Sequence, residues 1–260
     1  MSTTPYTPMP GAAPLGRMIA AQTALETKML LRNGEQLLLT VIIPALLLVL
    51  FSAVDIITVP VAPNGAGRSV DFLAPGVLAL AVMSTAFTGQ AIATGFERRY
   101  GVLKRLGTSP LPRWALMTAK TLSVLVTEVL QVVLLTAIAF GLGWSPQGGP
   151  VSVLLLLVVG TAAFSGLGLL MAGTLKAEAT LAAANLVFLL LLVGGGVIVP
   201  LDKFPDAVRE VLGLLPISAL SDGLRDVLQH GASMPWGNLG VLAVWAVLGL
   251  GAAAKFFRWE

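Results

Sequence analysis

Cysteine is absent from this sequence, and charge is scarce. None of the 260 residues is cysteine, which excludes disulfide bonds and thiolate metal sites. The single histidine, His230, has no partner at metal-ligand spacing, and no GxxxxGK[ST] loop is present to hold a nucleotide phosphate. Charged residues make up 11% of the chain and the net charge is only +3, which gives no indication of a nucleic-acid partner. We therefore predict no catalytic, cofactor-binding or metal-binding residue.

Hydrophobic residues dominate instead. They form 56% of the chain, and the mean hydropathy is +0.89. Continuous apolar runs of about 20 residues are long enough to cross a bilayer, and their lack of strict alternation favours helices over strands. Six runs meet this description: 37–57, 72–95, 121–142, 151–174, 181–200 and 239–257. We predict an all-α polytopic membrane protein with six transmembrane helices.

The distribution of Lys and Arg predicts the orientation of these spans. Positive residues in short loops favour the cytoplasmic side of a membrane. With the N-terminus inside, 12 of the 16 Lys and Arg residues fall on the cytoplasmic side. The other four fall on the outer side: Arg68, Lys203, Arg209 and Arg225. We predict that both termini are cytoplasmic.

The segments outside the spans differ in composition. Residues 1–14 are rich in Pro, Ser and Thr and predict a disordered tail, while residues 15–260 form one domain without an internal repeat. Residues 15–36 mix apolar and charged side chains. This mixture indicates either an amphipathic helix on the inner membrane surface or a solvated lead-in to the first span. Residues 201–231 carry five acids and apolar residues at helical spacing, which predicts two short outer helices divided near Pro216. These helices either dip into the membrane as re-entrant helices or rest on its outer face.

A basic segment lies between the second and third spans. Residues 96–113, FERRYGVLKRLGTSPLPR, hold five of the 16 Lys and Arg residues. Four apolar or aromatic residues of this segment fall close to one helical face: Phe96, Tyr100, Leu103 and Leu106. Gly107 and the prolines that follow it end this helix. Two interpretations are open: the helix docks into another protein, or it lies on anionic lipid headgroups as a topology signal.

Three polar residues fall inside predicted spans: Glu128, Gln131 and Asn185. An ionisable group within a bilayer is energetically unfavourable and is therefore a functional candidate. Glu128 and Gln131 lie one helical turn apart, which allows a proton relay. Alternatively, Glu128 is protonated, hydrogen-bonded to a neighbouring helix or in contact with a watery inner cavity. This second interpretation is favoured, because no other deep carboxylate accompanies Glu128. Asn185 predicts a helix–helix hydrogen bond rather than a ligand contact.

Small residues recur in the fourth and fifth spans. Ala162 and Gly166, and likewise Gly168 and Ala172, are spaced four apart, which predicts close packing of helices. Three consecutive glycines at 194–196 weaken the fifth helix by about 1 kcal/mol each relative to alanine. They indicate either a hinge or a close contact with a neighbouring helix.

Two stretches resemble the permease subunits of ABC-2-type transporters, or type V exporters, a family that includes daunorubicin-resistance-type drug pumps. The first is ERRYGVLKRLGTSPLPRWALMTAK at 97–120, with an acidic–basic start, a Leu-Lys-Arg core, a Pro break and an Arg-Trp pair. The second is GGGVIVPLDKFPDAVREVLGLLPISALSDGLRDVLQHG at 194–231. Together with six spans behind an amphipathic helix, the resemblance covers nearly the whole chain.

The resemblance implies a non-catalytic, membrane-spanning subunit of an ATP-driven exporter in the bacterial inner membrane. ATP and Mg²⁺ would bind to a separate ABC ATP-binding subunit, and a second permease, identical or different, would complete the transporter. The segment 97–107 would be the coupling helix that contacts the ATPase, and the 15–36 helix would lie near it. Eight residues would serve that coupling: Glu97, Arg98, Arg99, Tyr100, Leu103, Lys104, Arg105 and Leu106. The outer helices would form an exit gate that includes four residues: Pro200, Pro205, Pro216 and Arg225.

The composition of the spans bears on the substrate. They carry almost no charge, which favours a hydrophobic or amphipathic substrate such as a drug or a lipid. Three alternatives are open: a proton-coupled secondary transporter that uses Glu128, a polysaccharide-exporting permease of the same family, and a membrane scaffold without transport activity.

Overall fold

Helices build the part of the molecule that the structure describes. A computed structural model describes residues 13–53, 69–197 and 205–258, and no strand occurs within these ranges. The α-helices in these ranges are α1 Leu15–Arg32, α2 Gly34–Ala53, α3 Ser69–Val82, α4 Gln90–Arg99, α5 Val102–Leu106, α6 Arg113–Gly141, α7 Pro150–Thr174, α8 Ala177–Gly194, α9 Asp206–Gly213, α10 Pro216–Leu228 and α11 Trp236–Phe256. A π-helical segment, Met83–Gly89, joins α3 to α4.

Most of the predicted spans are present as long apolar helices. Five are long and apolar enough to cross a membrane: Ser69–Arg99, Arg113–Gly141, Pro150–Thr174, Ala177–Gly194 and Trp236–Phe256. They coincide with the second to sixth predicted runs. The first run, 37–57, differs, because the apolar part of α2 is the shorter stretch Thr40–Ser52 and residues 54–57 lie outside the described residues. The count of six spans therefore stays a prediction.

The helix Ser69–Arg99 forms the centre of the bundle. Its most apolar window is 89% buried inside the molecule, and α2, α6, α7 and α10 all pack against its first part, α3. α7 also approaches the π-helical segment. A Cβ placed on Gly168 would lie 2.8 Å from the Phe87 carbonyl oxygen, so this contact requires a residue without a side chain. Such π-helical turns inside α-helices occur frequently at functional sites.

α7 and α11 form a second close pair. A Cβ placed on Gly166 would lie 2.5 Å from the Leu250 backbone nitrogen, so only glycine permits this approach. The predicted small-residue contacts therefore serve packing within the chain. By contrast, α8 and α11 turn many apolar side chains outward, since only 17% and 22% of their apolar windows are buried. Such faces suit contact with lipid or with another apolar surface.

Two predicted helices differ in their boundaries. The helix predicted over 15–36 ends at Arg32, and Asn33 separates it from α2. The helix predicted over 97–107 is divided, because α4 ends at Arg99 and Gly101 adopts a left-handed conformation with φ of 71° before α5. A left-handed residue interrupts a right-handed helix, so the chain turns there. Residues 1–12 of the predicted tail lie outside the described residues.

The segment predicted to form two outer helices contains α9 and α10. Pro216 starts α10, where its missing N–H removes no helical hydrogen bond. α10 is buried against α3, α7 and α11, whereas α9 is largely exposed. A Cβ on Gly195 would lie 2.3 Å from Ile217, so the glycines after α8 permit close contact with α10. The re-entrant placement of both helices in a membrane stays a prediction.

Candidate functional site

The basic loop folds as a short helix between two turns. α5 follows the turn at Tyr100 and Gly101. After α5, the Thr108 hydroxyl donates a hydrogen bond to the Arg105 carbonyl, and the Ser109 hydroxyl donates one to the Leu106 carbonyl. These bonds satisfy carbonyls that a helix end leaves without partners. The loop therefore has a defined conformation.

Leu103 anchors this loop to the body of the protein. Its side chain is fully buried in an apolar cluster with residues from α6, α7 and the end of α11: Leu116, Met117, Leu169, Ala253 and Phe257. Leu106 is half-buried beside the same cluster. The part predicted for Leu103 in ATPase coupling stays a prediction, but its side chain has no exposed surface for direct contact with another protein. Leu103 instead fixes α5 against the spans.

The outward side of the loop is aromatic and basic. Tyr100 is 68% exposed and stacks on Phe96, with the ring centroids 6.2 Å apart. Lys104 and Arg105 are exposed on the neighbouring surface of α5. These three side chains, Tyr100, Lys104 and Arg105, are called the loop surface below. They provide one flat ring and two cations for contact with an acidic partner.

Arg98 and Arg99 contact the turn between α7 and α8. Arg99 forms an ion pair with Glu178, and Arg98 donates a hydrogen bond to the Leu175 carbonyl. Both contacts are largely exposed, so each contributes little to stability. They nevertheless hold the end of α4 next to this turn.

Three charged residues meet in a buried cluster beneath the loop. The Lys120 Nζ lies 3.0 Å from a Glu26 carboxylate oxygen and 2.6 Å from a Glu97 carboxylate oxygen. The side chains of Lys120, Glu26 and Glu97 are only 6%, 9% and 16% exposed. Buried charges are strongly unfavourable unless they remain paired. Because the three residues belong to α6, α1 and α4, this ion cluster ties three helices together at one point.

A second polar network lies deeper in the bundle. Gln131 accepts a hydrogen bond of 2.9 Å from the Thr85 hydroxyl and donates one of 2.8 Å to the Thr40 carbonyl, which joins α6 to the π-helical segment and α2. Glu128 is 4% exposed and accepts a hydrogen bond from the Thr161 hydroxyl on α7 instead. Glu128 and Gln131 therefore contact different helices, and no hydrogen bond between them is present in the described part of the chain.

Asn185 lies apart from both networks. It is exposed on α8, and its amide nitrogen donates a hydrogen bond of 3.0 Å to the Leu181 carbonyl one turn earlier. This bond stays within a single helix. Among the described residues Asn185 makes no hydrogen bond to another helix, and the helix–helix hydrogen bond stays a prediction.

The segment predicted to lie on the outer side contains its own buried cation. Arg225 on α10 is 6% exposed and donates a hydrogen bond of 2.9 Å to the Val197 carbonyl beyond α8. Its guanidinium lies 4.1 Å from the centroid of the Phe72 ring on α3, and it pairs with Asp222 at 3.1 Å. Burial lowers the pKa of Arg225 from its ordinary value, and the Asp222 carboxylate opposes this shift. Arg225 thus connects α10, α3 and the end of α8.

The prolines predicted to accompany Arg225 have simpler positions. Pro205 directly precedes α9 and is exposed, whereas Pro216 is buried at the start of α10. Pro200 lies outside the described residues. Within the described part of the predicted exit gate, Arg225 is the residue whose side chain bridges separate helices.

Sequence reasoning does not assign several residues that complete these clusters. Glu26 and Lys120 are 94 positions apart, and no local pattern connects them. Lys120 does carry a signal, because a cation at the start of an apolar span needs a counter-charge. Glu26 carries a weaker one, since it is an acid on an otherwise basic helix. Neither signal identifies the partner.

A comparison with known families assigns the chain. Residues 17–255 match the family described as "ABC-2 family transporter protein", which is most of the sequence. The chain belongs to the ABC-2 transporter family.

Two relatives from Bacillus subtilis (strain 168) are similar to this ABC-2 protein. The one named "Putative transport permease YvfS" is 26% identical over 234 residues, which cover 89% of this chain and 93% of the relative. The one named "Linearmycin resistance permease protein LnrN" is 28% identical over 167 residues, which cover 62% of this chain and 43% of the relative. The predicted resemblance to ABC-2 permeases is confirmed, and the protein is a multi-pass membrane protein of the transport-permease class. The daunorubicin-resistance subtype stays a prediction.

Proposed function

We propose that this ABC-2 permease is the non-catalytic, membrane-spanning half of an ATP-driven exporter that moves a hydrophobic or amphipathic substrate out of the cytoplasm. A separate ABC ATP-binding subunit binds ATP and Mg²⁺ and performs the hydrolysis. Family membership supports this division of roles, as does the lack of a phosphate loop in the sequence. A second permease, identical or different, completes the transporter.

The observation that carries the proposal is the ion cluster of Glu26, Glu97 and Lys120 beneath the loop surface. A partner ATPase contacts the loop surface, and Leu103 keeps α5 fixed to α6, α7 and α11. Movement of α5 therefore reaches the spans instead of being lost in a flexible loop. The ion cluster extends the same rigid unit to α1 and α4. ATP drives transport only if its binding favours one arrangement of this unit over another.

The outer end of the protein supports an exit gate. Arg225 holds α10 against Phe72 and the Val197 carbonyl, so opening a path there requires these contacts to break. A buried guanidinium without partners is strongly unfavourable, which favours the closed arrangement until ATP binding changes the bundle. In the proposed topology both termini are cytoplasmic, the loop surface faces the cytoplasm and the protein resides in the bacterial inner membrane. The nearly uncharged spans favour the drug-exporting or lipid-exporting subtype.

The proposal is tested by co-expressing the chain with the phosphate-loop ATPases encoded in its gene neighbourhood and purifying the complex. Reversing the charge of the loop surface in Arg105→Glu, together with Tyr100→Ala, should weaken ATPase capture by about tenfold or more. The matched control is Arg209→Glu, which reverses an exposed cation on α9 and should leave capture unchanged.

Two outcomes would contradict the proposal. One is that no phosphate-loop ATPase co-purifies with the wild-type chain. The other is that the loop-surface variant captures the ATPase and stimulates its ATP hydrolysis as well as the Arg209→Glu control does. Labelling of the variant Lys104→Cys with a membrane-impermeant thiol reagent provides an independent check. If the reagent labels Cys at this position from outside intact cells, the loop surface faces the exterior and the proposed topology is wrong.

A further inference from the structure

A cavity lies next to the ion cluster of Glu26, Glu97 and Lys120. The cavity has a volume of about 140 Å³ and lies between α1, α4 and α6. Its lining includes three charged residues, Glu26, Glu97 and Lys120, and apolar residues such as Met29 and Val124. Since one water occupies about 30 Å³ in the liquid, the space can hold several waters or the head of a small organic ion.

Gln90 is the second indication of a ligand. Its side chain lines the cavity at the first turn of α4 and is only 5% exposed. Neither its amide oxygen nor its amide nitrogen has a hydrogen-bond partner among the described residues. A buried amide without partners is unfavourable, so a native site of this kind calls for an explanation such as a bound polar group.

The charges of the cavity select the sign of that group. Two carboxylates, Glu26 and Glu97, face one ammonium group, Lys120, so the fully ionised cluster has an excess of one negative charge. An anion would be repelled by two carboxylates, whereas a cation would restore neutrality. The Gln90 amide oxygen is suited to accept a hydrogen bond from an N–H group of that cation.

The walls of the cavity favour an organic cation over a metal ion. The described residues contain no group of three or more His, Cys, Asp or Glu side chains arranged to hold a metal. Met29 and Val124 add apolar surface to the lining, where a hydrocarbon chain gains stability by leaving water. The site thus combines acceptors for one cationic head with room for a short apolar tail.

We propose that this cavity binds the ammonium head of an amphipathic cation between Gln90, Glu97 and Glu26. Its occupancy would be sensed by α4, which leads directly into Tyr100 of the loop surface. This inference deepens the proposed function, on which its transport part rests, by naming alkylammonium amphiphiles as the substrate class. The binding part needs no ATPase and is tested separately.

The test is equilibrium dialysis of radiolabelled hexylammonium against the full-length chain in phosphatidylcholine nanodiscs, with hexanol as the neutral analogue. Saturable binding of hexylammonium and none of hexanol is expected. Glu97→Gln should weaken binding by about tenfold because it removes a charged acceptor, and Gln90→Leu should weaken it severalfold. Glu210→Gln and Gln147→Leu make the same chemical changes at exposed positions far along the chain and should bind as wild type does.

The remaining arms separate the sources of the ammonium group and the two proposals. If phosphatidylethanolamine in the nanodisc competes with hexylammonium, the occupant is a lipid headgroup. If it does not compete, the occupant is a soluble amphiphile. Equal binding of hexanol, no saturable binding, or unchanged affinity in both Gln90→Leu and Glu97→Gln would overturn the inference. Saturable, variant-sensitive binding by a chain that captures no ATPase would uphold the site and overturn the proposed function instead.

Discussion

Replacing Lys120 by methionine tests whether the ion cluster holds α1, α4 and α6 together. Methionine is similar in length but has no charge, so Lys120→Met leaves Glu26 and Glu97 buried without a cation. Removing one partner from a buried ion pair destabilises a protein by about 3–5 kcal/mol. The Nζ lies 3.0 Å and 2.6 Å from the two carboxylates, and all three side chains are largely buried, so we expect a value in this range.

The assay is reversible unfolding of the full-length chain in mixed micelles with increasing dodecyl sulfate, followed by tryptophan fluorescence. A loss of 3–5 kcal/mol corresponds to a shift of the folding equilibrium by roughly 100-fold to 5000-fold. The matched control is Arg99→Met, which removes a cation from the ion pair with Glu178. That pair is 50% and 63% exposed, so the control should lose at most about 1 kcal/mol.

A neutral triple variant distinguishes charge pairing from shape. Glu26→Gln, Glu97→Gln and Lys120→Met together remove every charge of the cluster, and the triple variant should recover most of the stability that Lys120→Met loses. If Lys120→Met unfolds at the same dodecyl sulfate concentration as Arg99→Met, the three residues do not form a buried ion cluster and the reasoning is refuted.

Three further outcomes follow from the packing and hydrogen bonds. Leu103→Ala should lower the free energy of unfolding by about 2–5 kcal/mol, because it leaves a cavity beneath α5. The control Leu130→Ala, at an exposed position, should change it little, and equal losses in the same unfolding assay would contradict the anchoring role of Leu103. Glu128→Gln should retain ATP-driven substrate uptake into inverted vesicles, since the Glu128 carboxylate accepts one hydrogen bond and joins no relay among the described residues. Loss of uptake with intact ATP hydrolysis would favour proton coupling instead. Gly166→Val should abolish recovery of folded protein in size-exclusion chromatography, because the valine side chain would collide with the α11 backbone. The control Gly251→Val has open space around it and should give folded protein. A normal yield of Gly166→Val would show that α7 and α11 do not pack so closely.

The membrane architecture could be predicted from local sequence because hydropathy is a local property. Runs of about 20 apolar residues identify spans without reference to their neighbours, and five of the six runs correspond to long apolar helices. The helix predicted over 15–36 ends at Arg32, and the helix predicted over 97–107 is divided. Gly101 adopts a left-handed conformation that divides the helix predicted over 97–107, and periodicity alone gives no weight to one glycine.

The amino-acid sequence alone determined the helical class, the approximate spans and the family, because each depends on composition or on short motifs read along the chain. Tertiary structure alone decided which residues meet. It placed Glu26 beside Lys120 across 94 positions and buried Leu103 in an apolar cluster, while Tyr100 from the same predicted helical face is exposed. It also gave Arg225 two partners from distant parts of the chain, Phe72 and the Val197 carbonyl. Pairing between distant residues depends on how helices pack in three dimensions, and a pattern with a period of one helical turn does not contain that information.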